Sequence, residues 1–152
     1  FQLHSLQHGI KVIEFQTPHY ERLIVMFSQK VLTQKHWDTA DALSKILPEI
    51  YELPELERLH KSAGILAERF VDFPQFTADR ISLDSNHVWN DQLDGQYHLL
   101  ITISGQATVF PENGQSVIMN PEEAFFLAVG MGSYRLMNTG DTPLIYLKAM
   151  PK

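Results

Sequence analysis

A mainly β protein, a sandwich or barrel of short strands preceded by a strand pair and a short helical connector, is the fold class this 152-residue sequence predicts. Three observations carry it. From about residue 65 onward, apolar runs rich in β-branched and aromatic residues recur at short, regular spacing. Gly, Pro, Asn and Asp punctuate each run. A period of 3.6 is confined to one earlier stretch.

Taken in order, Gly9–Phe15 and Tyr20–Phe27 read as two strands, with Thr17-Pro18 as the turn between them. Leu43, Ile46, Leu47 and Ile50 then fall at i, i+3, i+4 and i+7, one face of a helix. Asp38 or Thr39 can cap it, because either side-chain oxygen accepts from a first-turn N–H. Pro48 lacks the N–H that a helix interior requires and should end it. A second short helix is expected near Pro54, with Leu53, Leu56 and Leu59 on one face, broken at Ser62-Ala63-Gly64. Strands are expected at Leu66–Val71, Phe76–Leu83, His87–Asn90, Tyr97–Ser104 and Gln106–Phe110. More follow at Ser116–Asn120, Ala124–Val129, Ser133–Met137 and Leu144–Met150. Asn113-Gly114 is a hairpin signal, since both residues tolerate positive φ. Phe70, Phe73, Phe76, Phe110, Phe125 and Phe126 are expected in the core.

Composition narrows the function classes. Apolar residues at 44% and charged residues at 20% suit a globular chain. Twelve basic against eighteen acidic residues give −6, the wrong sign for a nucleic-acid binder. With no cysteine there is no disulfide framework, thiolate zinc site or cysteine nucleophile. No apolar run approaches the roughly 20 residues that span a bilayer, and no signal peptide is read, so a cytoplasmic protein without membrane partners is expected. The chain opens on Phe1 rather than Met, so a processed or truncated product is expected.

Motifs for chemistry are sparse. A zinc site needs three or four donors converging at about 2.0–2.2 Å, and strand ligands must be spaced i, i+2 to share a face. The seven histidines contain no His-x-His, and His98 lies inside an apolar run, where packing is its simplest role. No Gly-x-Ser-x-Gly elbow and no Gly-rich phosphate loop occurs. Asp94-Gly95 and Glu122-Glu123 read as solvated turns. For a ligand in the barrel lumen, alternate residues among His98, Thr102, Tyr134 and Arg135 are the candidate lining.

Leu100-Ile101-Thr102-Ile103-Ser104-Gly105-Gln106-Ala107-Thr108-Val109, followed by Asn120-Pro121-Glu122-Glu123-Ala124-Phe125-Phe126-Leu127-Ala128-Val129-Gly130, resembles the two motifs of the cupin superfamily. The resemblance implies a cupin jelly roll. It departs at the family's metal ligands: only His98 stands near the first motif's carboxylate position, and the second motif's histidine position falls at Ser133. Such a metal-free jelly roll looks like the last cupin of type I phosphomannose isomerases. His4-Ser5-Leu6-Gln7-His8-Gly9-Ile10-Lys11-Val12-Ile13-Glu14-Phe15-Gln16 and Tyr20-Glu21-Arg22-Leu23 are similar to that family's pattern ahead of its second cupin. By this match His4 stands at the last zinc ligand, Arg22 at the catalytic arginine, and Glu14 at a glutamate lining the site.

What the resemblance implies is the C-terminal part of a mannose-6-phosphate-isomerase-like protein of carbohydrate metabolism. Residues 1–27 would be terminal strands of a preceding metal-type cupin, 28–64 a helical connector, and 65–152 a metal-free cupin. The full-length parent would use zinc for aldose–ketose isomerisation of sugar phosphates. This chain alone would hold no metal in 65–152 and be inactive. Its expected partners are the missing N-terminal cupin half, a sugar phosphate ligand and a second copy of itself. The alternatives are a non-enzymatic sugar- or small-molecule-binding cupin and a dimerisation module.

Overall fold

The computed structural model describes residues 8–16, 23, 39–46 and 55–152. Contacts divide the chain into Phe1–Leu53 and Pro54–Lys152.

In the first unit, His8 and Gly9 form a turn, with Gly9 at φ 85°. Residues 10–16 carry no strand ladder, so the first expected strand is corrected to an irregular segment. Its apolar residues are largely exposed, Ile10 and Val12 at 55% each. The second expected strand, apart from Leu23, lies outside the described residues. Helix α1 spans Thr39–Lys45, with Asp41 in the first turn and Lys45 in the last, each opposing the macrodipole's end charge. Lys45 Nζ meets Asp41 Oδ2 at 3.1 Å across one turn. Its buried residue is Ala42, whereas Leu43, expected on the buried face, is 57% exposed. A helix this short places successive residues about 100° apart, so a face built on Ala42 leaves Leu43 to the side.

The second unit is built of β-strands, with one 3-10 turn at Val129–Met131. Its strands are β1 (Glu57–Ser62), β2 (Ile65–Asp72), β3 (Phe76–Leu83), β4 (Val88–Gln92) and β5 (His98–Ser104). There follow β6 (Ala107–Pro111), β7 (Val117–Met119), β8 (Ala124–Leu127), β9 (Ser133–Asn138) and β10 (Leu144–Pro151). Two antiparallel sheets result, in the orders β1-β2-β3-β10-β5-β8 and β4-β9-β6-β7. Every strand expected from residue 66 onward is present.

The helix expected from near Pro54 is not formed over residues 55–62, the part of it that lies among the described residues; Leu53 and Pro54 lie outside them. Residues 57–62 are an edge strand, joined to β2 through Ala63-Gly64. The i, i+3 spacing of Leu56 and Leu59 misled because the β1 register shifts between Arg58 and His60, which breaks the two-residue period. Gly64 turns at φ 73°, and a Cβ there would run into the His87 ring. The hairpin at Asn113-Gly114 is a wider loop than the dipeptide suggests, with only Gly114 at positive φ. Gly105, at φ 77°, carries the chain from β5 in one sheet to β6 in the other; a Cβ there would lie 2.7 Å from Leu144 Cα.

Side chains alternate inward and outward along the strands. Ile81, Leu83, Leu100, Val109, Met119, Leu136 and Leu144 form the core between the sheets, with Trp89 and Phe125 packed against it. The expected aromatic core is corrected in part: Phe70 and Phe73 are exposed, and Phe126 is 61% exposed. Phe126 sits out of phase with Leu127 and Phe125, so it faces the other side of β8.

Candidate functional site

The alternation that buries Ile81, Leu83 and Tyr146 also buries charge. On β3 the inward series is Asp79, Ile81, Leu83, and on β10 it is Leu144, Tyr146, Lys148. Asp79 and Lys148 are register partners, and Arg69 of β2 pairs with Asp79 from the other side. From the second sheet, β4 and β9 bring Asp91 and Tyr134 as partners. His98 opens β5 on the same inward phase.

These groups join in one network. Arg69 Nε donates to Asp79 Oδ1 at 2.9 Å, and Lys148 Nζ stands 3.8 Å from Asp79 Oδ2. Lys148 Nζ donates to Asp91 Oδ2 at 2.7 Å, so it bridges carboxylates of both sheets. Asp91 Oδ2 also accepts from Trp89 Nε1 at 3.0 Å and from the Tyr134 hydroxyl at 3.2 Å. His98 Nδ1 lies 3.0 Å from the same hydroxyl oxygen. Two cations face two carboxylates, so the interior is charge-balanced while His98 is neutral. Unpaired, each of these charges would be far more costly to bury.

Burial and charge set the protonation states. Burial alone would raise the Asp91 carboxyl, but the Lys148 ammonium beside it holds it below the ordinary carboxylate range. Burial pushes the Tyr134 phenol far up, with neighbouring acidic groups adding to the shift, so it stays a donor. Tyr146, wholly buried, moves the same way. His98 is pushed down, first by burial and then by Lys148.

Of the lining expected from sequence, His98, Thr102 and Tyr134 are buried inside the sandwich. Arg135 is not there: it follows Tyr134 by one residue, so it faces outward and lies over the Phe110 ring at 5.3 Å. Ser133, matched above to the second motif's histidine, is likewise outward, donating to Glu112 Oε2 at 2.9 Å. Tyr134 holds the inward position instead. Glu14 is exposed, and His4 and Arg22 lie outside the described residues. At the Glu122-Glu123 turn, Glu123 Oε2 accepts from Asn120 N at 2.8 Å. Asp79, Lys148, Asp91 and Arg69 were missed by the sequence reading. The signal was present: Asp79 and Lys148 are charged residues in phase with core positions of apolar strands.

The carboxylates of this interior are paired with cations rather than left open. Asp91 and Asp79 both face Lys148, and the Tyr134 hydroxyl stands between Asp91 and His98. Among the described residues, no three His, Asp or Glu side chains cluster as metal donors.

Among the described residues of the sandwich, two hydroxyls, Thr102 Oγ1 and Tyr146 OH, are buried with no hydrogen-bond partner. They are inward neighbours, since Thr102 and Tyr146 are register partners on β5 and β10.

No family model matches the chain. No curated protein matches it by sequence. Solved structures do match. KdgF from Halomonas sp. is 16% identical with a TM-score of 0.53, covering 63% of this chain and 86% of that one. A predicted oxalate decarboxylase from Thermotoga maritima is 16% identical with a TM-score of 0.55, covering 68% and 98%. An RmlC-like cupin from Shewanella frigidimarina is 12% identical with a TM-score of 0.52, covering 64% and 84%. Likeness at this level establishes the fold, a cupin jelly roll. No described helix is long and apolar enough to cross a membrane.

Proposed function

We propose that this chain is the C-terminal portion of a mannose-6-phosphate-isomerase-like protein, in which the jelly roll of residues 65–152 serves as a non-catalytic frame for a catalytic cupin. The observation that carries this reading is the filled interior. Where a reactive cupin would present open donors, this one spends Asp91, Lys148, Tyr134 and Asp79 on each other. The resemblance from His4 to Arg22 supports the rest. On that match, Arg22 supplies a permanent cation for the oxyanion that forms as a proton moves between neighbouring carbons. His4 would be one of the parent's zinc ligands and Glu14 would line the parent's site. Zinc would polarise the sugar's oxygens in the parent.

The test is interconversion of mannose 6-phosphate and fructose 6-phosphate by the full-length parent, alongside its Arg22→Ala variant. Turnover in the parent, reduced by about a hundredfold or more in the variant, is expected for a lost transition-state charge partner. A folded, zinc-loaded parent without turnover overturns the reading.

A second reading, a jelly roll that binds a small neutral hydroxylated molecule such as a sugar, is favoured by the unpartnered Thr102 and Tyr146 hydroxyls. Isothermal titration of the chain with unphosphorylated hexoses, repeated on Thr102→Val, tests it. Heat of binding that disappears in the variant supports this reading. No binding by the unaltered chain removes it.

A further inference from the structure

We propose that His98 is an acid-sensitive catch between the two sheets, neutral above mildly acidic pH and, once protonated, a source of uncompensated positive charge that loosens the jelly roll. The argument begins with proton bookkeeping. An ionised carboxylate only accepts, so the Tyr134 O–H points at Asp91 and offers its oxygen lone pair to His98. Nδ1 of His98 therefore carries the proton. The result is a directed chain, His98 Nδ1–H to Tyr134 O–H to Asp91. Lys148 arrives from the other side. It runs from β5 of the six-stranded sheet through β9 and β4 of the four-stranded sheet and back to β10.

Groups on every neighbouring element set the balance. Lys148 on β10 repels a positive imidazole; Asp91 on β4, Asp79 on β3 and Asp94 in the following turn attract it. Tyr134 on β9 is neutral. Arg69 on β2 already occupies Asp79 at 2.9 Å, and Lys148 occupies Asp91 at 2.7 Å. A charged His98, itself buried, adds a third cation to two carboxylates. The hydrogen bond from Nδ1 survives protonation, so charge is what changes. Burial and Lys148 outweigh the acids, in accord with the downward shift of His98.

The sign follows by linkage. An unfolded histidine titrates near about 6.5. With the folded value below that, the unfolded chain binds more protons as pH falls through this window. Stability supplied by neutral His98 is complete above about pH 6.5 and lost progressively toward the lower folded value.

Two measurements on the 152-residue chain decide the matter. The first follows the His98 ring by NMR, assigned by its disappearance in His98→Gln, which keeps a side-chain donor without a titratable ring. A midpoint below 6.5 supports the catch, and a midpoint at or above 6.5 overturns it. The second compares Tm from pH 7.5 to 5.0. The parent's Tm should fall several degrees further than that of His98→Gln, with faster amide exchange in β5 and β9 at the acid end. Parallel Tm profiles overturn the proposal. If His98→Gln fails to fold, the ring is assigned through its proximity to Tyr134, and its midpoint alone decides.

Discussion

At one end of the sandwich, Ile65, Leu83 and Leu144 lie side by side on β2, β3 and β10, in one apolar cluster with Ala107 and Met119 of the other sheet. Four residues along the same strands, the inward positions are Arg69, Asp79 and Lys148. The backbone is alike at both ends; the source of stability is not. An apolar rung gains from each side chain separately, in proportion to area removed from water. A charged rung gains only while every partner is present, because losing one strands another in a medium that solvates it poorly. Even the polar residue at the apolar end, Asn138, is neutral, and its Nδ2 donates to Leu83 O and Thr142 O at 2.9 Å each.

The contrast can be broken most forcefully at Lys148. Lys148→Met leaves Asp91 without its cation and should cost about 4 kcal/mol in urea denaturation, within the usual range for breaking a buried pair. A cost near that of a surface substitution would show the two ends to be energetically alike. Combining it with Asp91→Leu should recover much of the loss, since an apolar replacement of both partners is often neutral or better. Leu83→Ala sets the scale for the apolar end: about 3 kcal/mol, with little salt dependence. Smaller and opposite in sign is Thr102→Val, which removes an unpartnered hydroxyl and should stabilise by about 1 kcal/mol in the same measurement. A loss instead would mean the hydroxyl has a partner in solution. Least affected is Arg135→Ala, which gives up only a cation–π contact on the outer face, at most about 1 kcal/mol in thermal unfolding.

Legibility in the sequence followed the same divide. The β3 and β10 strands stood out because Ile81, Leu83, Leu144 and Tyr146 alternate with more exposed residues, a pattern that depends only on the strand's own chemistry. Asp79 and Lys148 sit on that phase too, yet nothing local says which of them meets which across 69 residues of chain. Asp91 was harder still, lying in a short strand whose partner β9 comes 41 residues later. Failures of period had local causes. At Leu59 a bulge removed the alternation, and at Arg135 and Ser133 a one-residue phase separated inner from outer face. The cupin frame was legible through the resemblance of residues 100–109 and 120–130 to the family's two motifs, whereas strand spacing alone stopped at a sandwich or barrel. The resident network was not, because pairing between sheets leaves no mark on neighbouring residues.

Gly105 carries a consequence for how such a chain can vary. Backbone from Leu144 fills the space where its side chain would stand, so the crossing point between sheets cannot slide along the sequence. His98 lies seven residues before it, and the irregular register near Ile103 is already absorbed in that interval. Adding or deleting one residue there would turn His98 out to solvent and bring Tyr97 or Leu99 inward. Length changes in that interval should therefore be the rarest in any lineage that keeps this histidine, while its composition drifts.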